Sequence, residues 1–523
     1  MSKSSTMQQQ KLNIAPLRSV LPAMLVFFIV STIGIYNHEL WLDEAQHFLI
    51  GRDSISLTGL YYNMQYDGHV RLWNVLLFFI THYISISPIA MQAFHLIIIC
   101  TTVFIFLRYA PFDIITKLLI ISGYFFLFEY NLISRNYALG ILFLFASCKL
   151  LAQENKNLLP VGVLLILMCN THLFFVFPAS GIFICMLYHR LKQRNFNTQF
   201  FGFVLFFVVA ISSVIIQIKI PSDNTYFHPE QVKLNSIRNI SSAFYGLAKG
   251  FLPIPAATNG NFWGHFFFDK LPSFLKVFLA FVLLIYPFLL LRKSKSALLF
   301  YGCSIFLLLL FLFISQSWAA RYFGMFFIFF ITAAWLAGNE SINVFPIEKL
   351  RFKALKIKIF YGFFYFLLVC HLFSGVYAYG DDIVKPFSEA KNAIKYLQSN
   401  HLDKGTVFVD GYNAGPALSA YLGKKVFYLN IDRPGSFCYW KKSYFEVPPR
   451  PLAMELMQSC YVVTQNYFVL ISERQAPATE IKCSNCIFQF EELGRFTDGI
   501  IKPDYYIYKV YKKIIRIVAV KTE

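Results

Sequence analysis

Long apolar runs constrain this chain more than any other feature. Stretches at 18–37, 88–108, 113–131, 136–152, 199–219, 272–291, 297–314, 321–338 and 357–378 are each near the length of about 20 residues that crosses a bilayer as a helix. A soluble fold would need a charged exterior to offset so much apolar surface. Only 14% of the 523 residues are charged, against about a quarter in soluble domains, while 57% are hydrophobic. A soluble multidomain architecture is therefore excluded for about the first 380 residues. The first run, 21–35, is followed by a polar segment without a small-residue cleavage site, so a retained span is expected there.

The formal net charge of +19 raises the question of nucleic acid, and the placement of the charges answers it. Lys3, Lys11 and Arg18 precede the first span with no acidic residue among them. His189, Arg190, Lys192 and Arg194 share one connector, Arg292, Lys293 and Lys295 another, and Lys349, Arg351, Lys353, Lys356 and Lys358 a third. Basic residues gathered in short loops on one side set membrane topology. No nucleic-acid partner is expected; the lipid bilayer is.

Two stretches admit more than one reading. The run 158–189 is long enough for two short spans and is broken by Asn170, Thr171 and His172; in 69–87, Arg71, Asn74, Thr81 and His82 leave only 72–80 apolar. With the N-terminus and the 189–198 loop both cytoplasmic, an even number of spans must separate them. Arg108 with Lys117, and Lys149 with Lys156, mark two more cytoplasmic turns. Two spans in 158–189 and a non-spanning interfacial helix in 69–87 satisfy every constraint. The expectation is a mainly α polytopic protein of about eleven transmembrane helices over residues 1–379. Segments 38–87, 129–136, 170–172, 219–271 and 315–321 would lie on the outer side, together with everything after 379.

From Asp381 onward the composition changes. Short strands at 407–410, 425–429, 468–471 and 505–510 alternate with helical stretches at 386–400 and 450–459, which predicts an extracytoplasmic α/β domain over 380–523. It carries no phosphate-cradling glycine loop, and the chain shows no internal repeat. Six of the ten cysteines fall in or beside apolar runs. The other four, Cys438, Cys460, Cys483 and Cys486, permit one or two disulfides outside the cytoplasm. The C-x-x-C spacing of Cys483 and Cys486 lacks the strand-to-helix setting of a redox site.

The predicted outer segments hold nearly all the unusual polar residues. Directly after the first span comes Trp41-Leu42-Asp43-Glu44-Ala45-Gln46-His47. Two adjacent carboxylates at a membrane surface can serve as a base, as metal ligands, or as a solvated helix start. On a helix they point about 100° apart, so separate jobs are expected. Further along the same loop lies Tyr66-Asp67-Gly68-His69-Val70-Arg71-Leu72-Trp73. Asp67, His69 and Arg71 suit a divalent metal or a phosphate, and Gly68 permits a tight turn. Glu129-Tyr130-Asn131 and Arg135-Asn136-Tyr137 bracket another outer turn, where an arginine runs against the positive-inside bias. His172, Arg321 with Tyr322 after Trp318, and Tyr226, His228 and Glu230 in the 219–271 loop complete the candidates.

In these residues, Trp41 to Trp73, then Tyr124 to Tyr130 and Arg135 to Leu139, the chain resembles the bacterial GT-C superfamily. These are polytopic glycosyltransferases related to protein O-mannosyltransferases and lipid A aminoarabinose transferases. The resemblance covers about residues 18–190 and is architectural beyond. It implies an inverting hexosyl- or pentosyltransferase in the bacterial inner membrane. Such an enzyme takes a sugar from a polyprenyl-phosphate carrier and passes it to an extracytoplasmic glycan, lipid or protein. Asp43 matches the family's essential acidic residue. Asp67-Gly68-His69 falls where relatives place a Pro-rich donor motif, with Val70 and Arg71 here in place of a Pro-Pro pair. Arg135 matches an outer-loop arginine, although the acidic residue often found downstream of it is absent.

The expected site is therefore Asp43, Glu44 and Arg135 for catalysis. Asp67, His69, Arg71, Glu129, Tyr137, His172 and Arg321 are expected at the substrate, and Asp43 with Asp67 form a candidate pair for a divalent metal, the one cofactor considered. Asp43 would take the acceptor's proton. Arg135 with Arg71, Arg321 or His69, or the metal, would meet the departing phosphate. The rival class is a polytopic transporter or lipid flippase, which would favour internal repeats and polar groups at the bilayer midplane.

Overall fold

The structure is a computed structural model that describes residues 15–153, 157–225, 237–256, 261–315, 319–340, 342–345, 355–445, 452–459, 467–482 and 486–514. Lys3, Lys11, Lys156, Tyr226, His228, Glu230, Trp318, Lys349, Arg351, Lys353, Cys460 and Cys483 lie outside the described residues.

The first long helix, α1 (Leu17–Asn37), starts behind Pro16, whose fixed φ of −58° suits a helix entry. Three helices follow before the next long one: α2 (Leu42–Asp53), α3 (Leu57–Asn63) and α4 (Leu72–Tyr83). Helix α5 (Pro88–Tyr109) is capped by Ser87, whose side chain accepts the Ile89 N–H, and opens on Pro88, where a missing N–H costs nothing. Then come α6 (Ile114–Ile121), α7 (Asn136–Leu151), α8 (Leu158–Cys169), α9 (Val176–Gln193) and α10 (Thr198–Gln217). Helices α11 (Ile237–Phe251), α12 (Ser273–Leu291), α13 (Lys295–Ser315), α14 (Ala320–Asn339) and α15 (Leu355–Val384) complete the bundle. Eight described helices are long and apolar enough to cross a membrane, and α4, α7 and α8 are shorter apolar helices. This is a mainly α, multi-pass membrane protein. Helix α14 is its axis: 89% of its apolar window is buried inside the protein.

One expected span is not a continuous helix. In 113–131, α6 stops at Ile121 and a single π-helical turn, Phe125–Glu129, follows. The reason is close backbone packing: a Cβ on Gly375 of α15 would stand 2.7 Å from the Ser122 carbonyl oxygen. The chain re-enters with i→i−5 bonding, Tyr130 N–H to Phe125 O at 2.8 Å. The run 158–189 is also divided, with Asn170–His172 between α8 and the turn leading into α9, as the polar interruption predicted. The 219–271 loop holds an unexpected helix, α11, which lies against α14 with Gly246 and Gly250 facing Phe323.

Helix ends gather at two faces. On one, Ala15 N–H reaches Arg108 O (3.0 Å), Lys117 Nζ reaches Leu107 O (2.8 Å), Asn339 reaches Cys148 O (3.2 Å) and Ser294 reaches Glu340 (2.6 Å). The other face collects the residues of the candidate site.

After α15 come α16 (Ala390–Ser399) and a mixed seven-stranded sheet: β1 (Val407–Asp410), β2 (Val426–Tyr428), β3 (Arg433–Gly435), β4 (Tyr467–Ser472), β5 (Glu480–Lys482), β6 (Cys486–Phe496) and β7 (Tyr505–Ile514). The order is β3-β2-β1-β4-β7-β6-β5, parallel among β2, β1 and β4 and antiparallel elsewhere. Side chains alternate between two faces. Val407, Val409 and Ile471 pack with α16 and α17 (Gly415–Leu422), while Phe408, Phe468 and Leu470 form a second cluster. Short helices α18 (Lys442–Phe445) and α19 (Leu452–Ser459) follow β3, and Leu456 of α19 joins that second cluster. Three strands, β3, β5 and β6, were not expected. Cys438 and Cys486 are buried free thiols.

Candidate active site

Helix α2 leaves the end of α1 after a four-residue turn, so its first residues stand where the first long helix emerges. Asp43 and His47 are one turn apart on the same side of α2, and Glu44 points elsewhere. The Asp43 carboxylate is gripped by two guanidiniums. Arg135, which precedes α7, donates to Asp43 Oδ2 through Nη1, and Arg321 at the start of α14 donates through Nη2 at 3.0 Å. The Arg135 side chain is 3% exposed and that of Asp43 27%, so the trio is rooted in protein but open on the carboxylate side. Two guanidiniums against one carboxylate leave an excess of one positive charge. Burial pushes the Asp43 carboxyl upward, but Arg135 and Arg321 beside it hold it below its ordinary range.

Aromatic rings wall this trio. The Arg321 guanidinium lies 5.3 Å from the Trp41 ring, 5.9 Å from Trp263 and 5.1 Å from Tyr322. Arg135 lies 5.6 Å from Tyr137, whose hydroxyl is 3.3 Å from His172 Nε2. Since His172 Nδ1 accepts the Phe174 N–H, Nε2 carries the proton of the neutral ring. Burial, with the positive groups around it, keeps His172 well below its ordinary pKa. Glu129 is buried in the π-helical turn, where Oε2 accepts from Trp263 Nε1 at 3.0 Å and Tyr124 at 3.3 Å, so it anchors the Trp263 ring beside Arg321.

Glu44, expected beside Asp43 in catalysis, is fully buried and turned inward. Its Oε1 accepts the Ser134 N–H at 2.6 Å, and its Oε2 lies 3.2 Å from His38 Nε2. His38 Nδ1 in turn lies 3.0 Å from Asp382 near the end of α15. Burial opposes charge on His38, but Asp382 and Glu44 together raise its pKa well above the ordinary value. Arg71 also stands apart from the trio. Its guanidinium stacks 4.2 Å from the Tyr61 ring, and Nε and Nη1 are buried without a hydrogen bond.

The expected metal pair, Asp43 with Asp67, is not the group assembled here, because the guanidiniums occupy Asp43. Asp67 instead sits with His47 and His69, one ligand atom of each lying within 4.8 Å of the others. Burial, reinforced by Arg135, depresses His47 to a pKa of about 4, so its imidazole is neutral. Burial would raise the Asp67 carboxyl, but His69, His47 and Gln46 hold it far below its ordinary range.

The C-terminal domain closes the site from the side. Gln46 Nε2 donates to the Cys438 carbonyl at 2.8 Å and to Asp67 Oδ1 at 3.3 Å, while its Oε1 accepts the Cys438 N–H at 2.8 Å. Tyr421 of α17 accepts the Leu40 N–H at 2.8 Å. Sequence reasoning brought Asp43, Arg135 and Arg321 to one face but passed over His38, Gln46, His47 and Trp263. The spacing of Asp43 and His47, four residues on one helix, was the available signal for His47. Gln46 and Trp263 gave none, since their partners come from distant segments. No family model matches this chain, and no curated protein matches it.

Proposed function

We propose that the chain is a membrane glycosyltransferase that moves a sugar from a polyprenyl-phosphate carrier to an extracytoplasmic acceptor. The observation that carries this reading is Asp43 held between Arg135 and Arg321 at the face where the helix ends meet. One carboxylate and two fixed guanidiniums supply what the displacement needs, a proton acceptor and a cradle for a leaving phosphate. The acceptor hydroxyl oxygen attacks the anomeric carbon, the carbon–oxygen bond to phosphate breaks, and the electron pair leaves with the phosphate. The proton passes to Asp43. Attack opposite the leaving group inverts the sugar carbon.

In the free protein these roles conflict, because a carboxylate paired with two guanidiniums is a poor base. Donor phosphate resolves the conflict by competing for Arg135 and Arg321. As their hydrogen bonds shift to phosphate oxygens, Asp43 is released and its basicity rises. Donor therefore binds before the base becomes competent. The Trp41 and Trp263 rings beside Arg321 offer flat surfaces suited to a sugar ring.

Orientation comes from the loop charges. Arg108, Lys149, Arg190 and Lys192 in the last turns of their helices, Lys117 in the first turn of α6, and Arg292 with Lys293 between α12 and α13 gather at the opposite face, which the positive-inside bias makes cytoplasmic. If α6 with its π-helical turn, α7 and α8 also cross, the eight long helices bring the total to eleven crossings. On this reading the site and the C-terminal domain face the outside, and the resemblance to bacterial transferases makes the membrane the inner one. The test is transfer by the purified chain in lipid nanodiscs, with labelled polyprenyl-phosphate sugars and cell-envelope extracts as acceptors. Label moved to an acceptor supports the reading. A panel of such donors that neither bind nor react, with protein of verified fold, would overturn it.

A further inference from the structure

We propose that His47, Asp67 and His69 form a binding site for one divalent transition-metal cation of the zinc class, separate from the carboxylate–guanidinium trio and independent of the transfer reading. The ligands come from two segments, α2 and the turn that leads into α4. That turn is tight: Asp67 N–H bonds Met64 O at 3.1 Å, and Gly68 takes a φ of +70°, a conformation that favours glycine. It brings Asp67 Oδ2 within 3.0 Å of His69 Nδ1 and 3.9 Å of His47 Nδ1.

Hydrogen bonding alone leaves this group incomplete. His69 Nδ1 lies 2.8 Å from the Asp67 carbonyl oxygen, and His47 Nδ1 lies 3.0 Å from Asn74 Oδ1, whose amide nitrogen donates to the His47 carbonyl. Two imidazole protons thus face three oxygens, and the third, Asp67 Oδ2, is buried and accepts no hydrogen bond. A buried carboxylate oxygen without a donor is costly, and a cation supplies what is missing. Bound at Oδ2, the cation would replace the Nδ1 protons, with the Asp67 carbonyl and Asn74 Oδ1 as further oxygens in reach.

Two imidazoles and a carboxylate suit zinc and its neighbours; calcium and magnesium prefer oxygen alone. The supporting contacts are of the kind that orient metal ligands. Gln46 holds the other Asp67 oxygen and is itself fixed on both sides by the Cys438 backbone. His47 Nε2, 3.4 Å from Arg135 Nη2, faces a cation and is the wrong nitrogen for a metal, which leaves Nδ1. The site then ties the 64–70 turn to α2 and to the C-terminal domain at once.

The experiment uses the full chain in detergent, purified on a histidine-free tag, stripped with chelator and equilibrated with Zn2+ alone. Metal content by elemental mass spectrometry and the thermal midpoint are read together. One equivalent of zinc and a raised midpoint are expected for the native chain. Both should be lost in Asp67→Asn and His69→Gln and kept in His265→Ala, a change at an exposed histidine. The His69 side chain is 23% exposed, so His69→Gln should match the stripped native chain in midpoint and remain a fair comparison. Zinc uptake equal in the native chain and His69→Gln, or no uptake by a folded native chain, overturns the proposal. So does a midpoint raised by Ca2+ and not by Zn2+.

Discussion

Glu44 Oε1 accepts the backbone N–H of Ser134 at 2.6 Å, and these two residues are the chain neighbours of Asp43 and Arg135. One buried hydrogen bond therefore sets the spacing of an ion pair in which neither of its own residues takes part. Glu44 is a positioning residue in this arrangement. Its acidic character also serves His38, which carries the restraint on to Asp382 in the last long helix.

Glu44→Ala should consequently cost about 3–5 kcal/mol of stability, as expected when a buried ion pair loses one partner. Glu44→Gln keeps an acceptor for Ser134 and should cost less, with turnover reduced modestly and donor affinity unchanged. Thermal unfolding alongside steady-state kinetics separates the two. Equal loss of turnover in Gln and Ala variants of matched stability would put Glu44 in the chemistry itself.

Asp43→Asn should lower turnover by about 10²–10⁴-fold, the usual worth of general base catalysis, because the amide cannot take the acceptor's proton. Donor affinity should hold or tighten, since Arg135 and Arg321 no longer have a carboxylate to leave. Calorimetry with a non-transferable donor analogue checks this. Weakened donor binding would contradict the competition between phosphate and Asp43.

Arg321→Ala and Arg135→Ala should each weaken donor affinity about 10–100-fold, in line with loss of one charge-assisted hydrogen bond. Arg135→Lys should not restore it, because an ammonium lacks the planar fork that can bridge two phosphate oxygens. Binding measured with and without the phosphate on the carrier distinguishes this from a general loss of fold.

The His38 contribution to stability has a definite pH dependence. Its pKa is raised on folding, so the stabilisation is fully present below the unfolded value of about 6.5 and is lost as pH climbs through the raised folded value. The difference in thermal midpoint between the native chain and His38→Gln should shrink as pH rises above neutrality. A constant difference across that range would mean that His38 is neutral in the fold.

The long helices were legible because apolar length is a one-dimensional signal, and Asn170–His172 marked a real break. The 113–131 run misled for the same reason. Nothing in its composition reports that Gly375 would bring α15 close enough to interrupt it, since that contact joins residues about 250 positions apart. The trio was half legible. Arg135 and Arg321 stood out by their placement against the loop-charge pattern, but only the fold shows both on one carboxylate. Strand β6 was hidden because its apolar run, Cys486-Ile487-Phe488, is only three residues long and the adjacent Glu491 and Glu492 break the alternation that follows it.

Three ties fasten residues 38–46 to the end of the last long helix and to the domain beyond it: His38 to Asp382, the Leu40 N–H to Tyr421, and both ends of the Gln46 amide to Cys438. The sheet domain is thus braced against the stretch that carries Asp43, like a lever keyed to its shaft. A large molecule settling on the sheet would exert torque on that stretch, and severing the chain after α15 would leave the Asp43 segment without its frame.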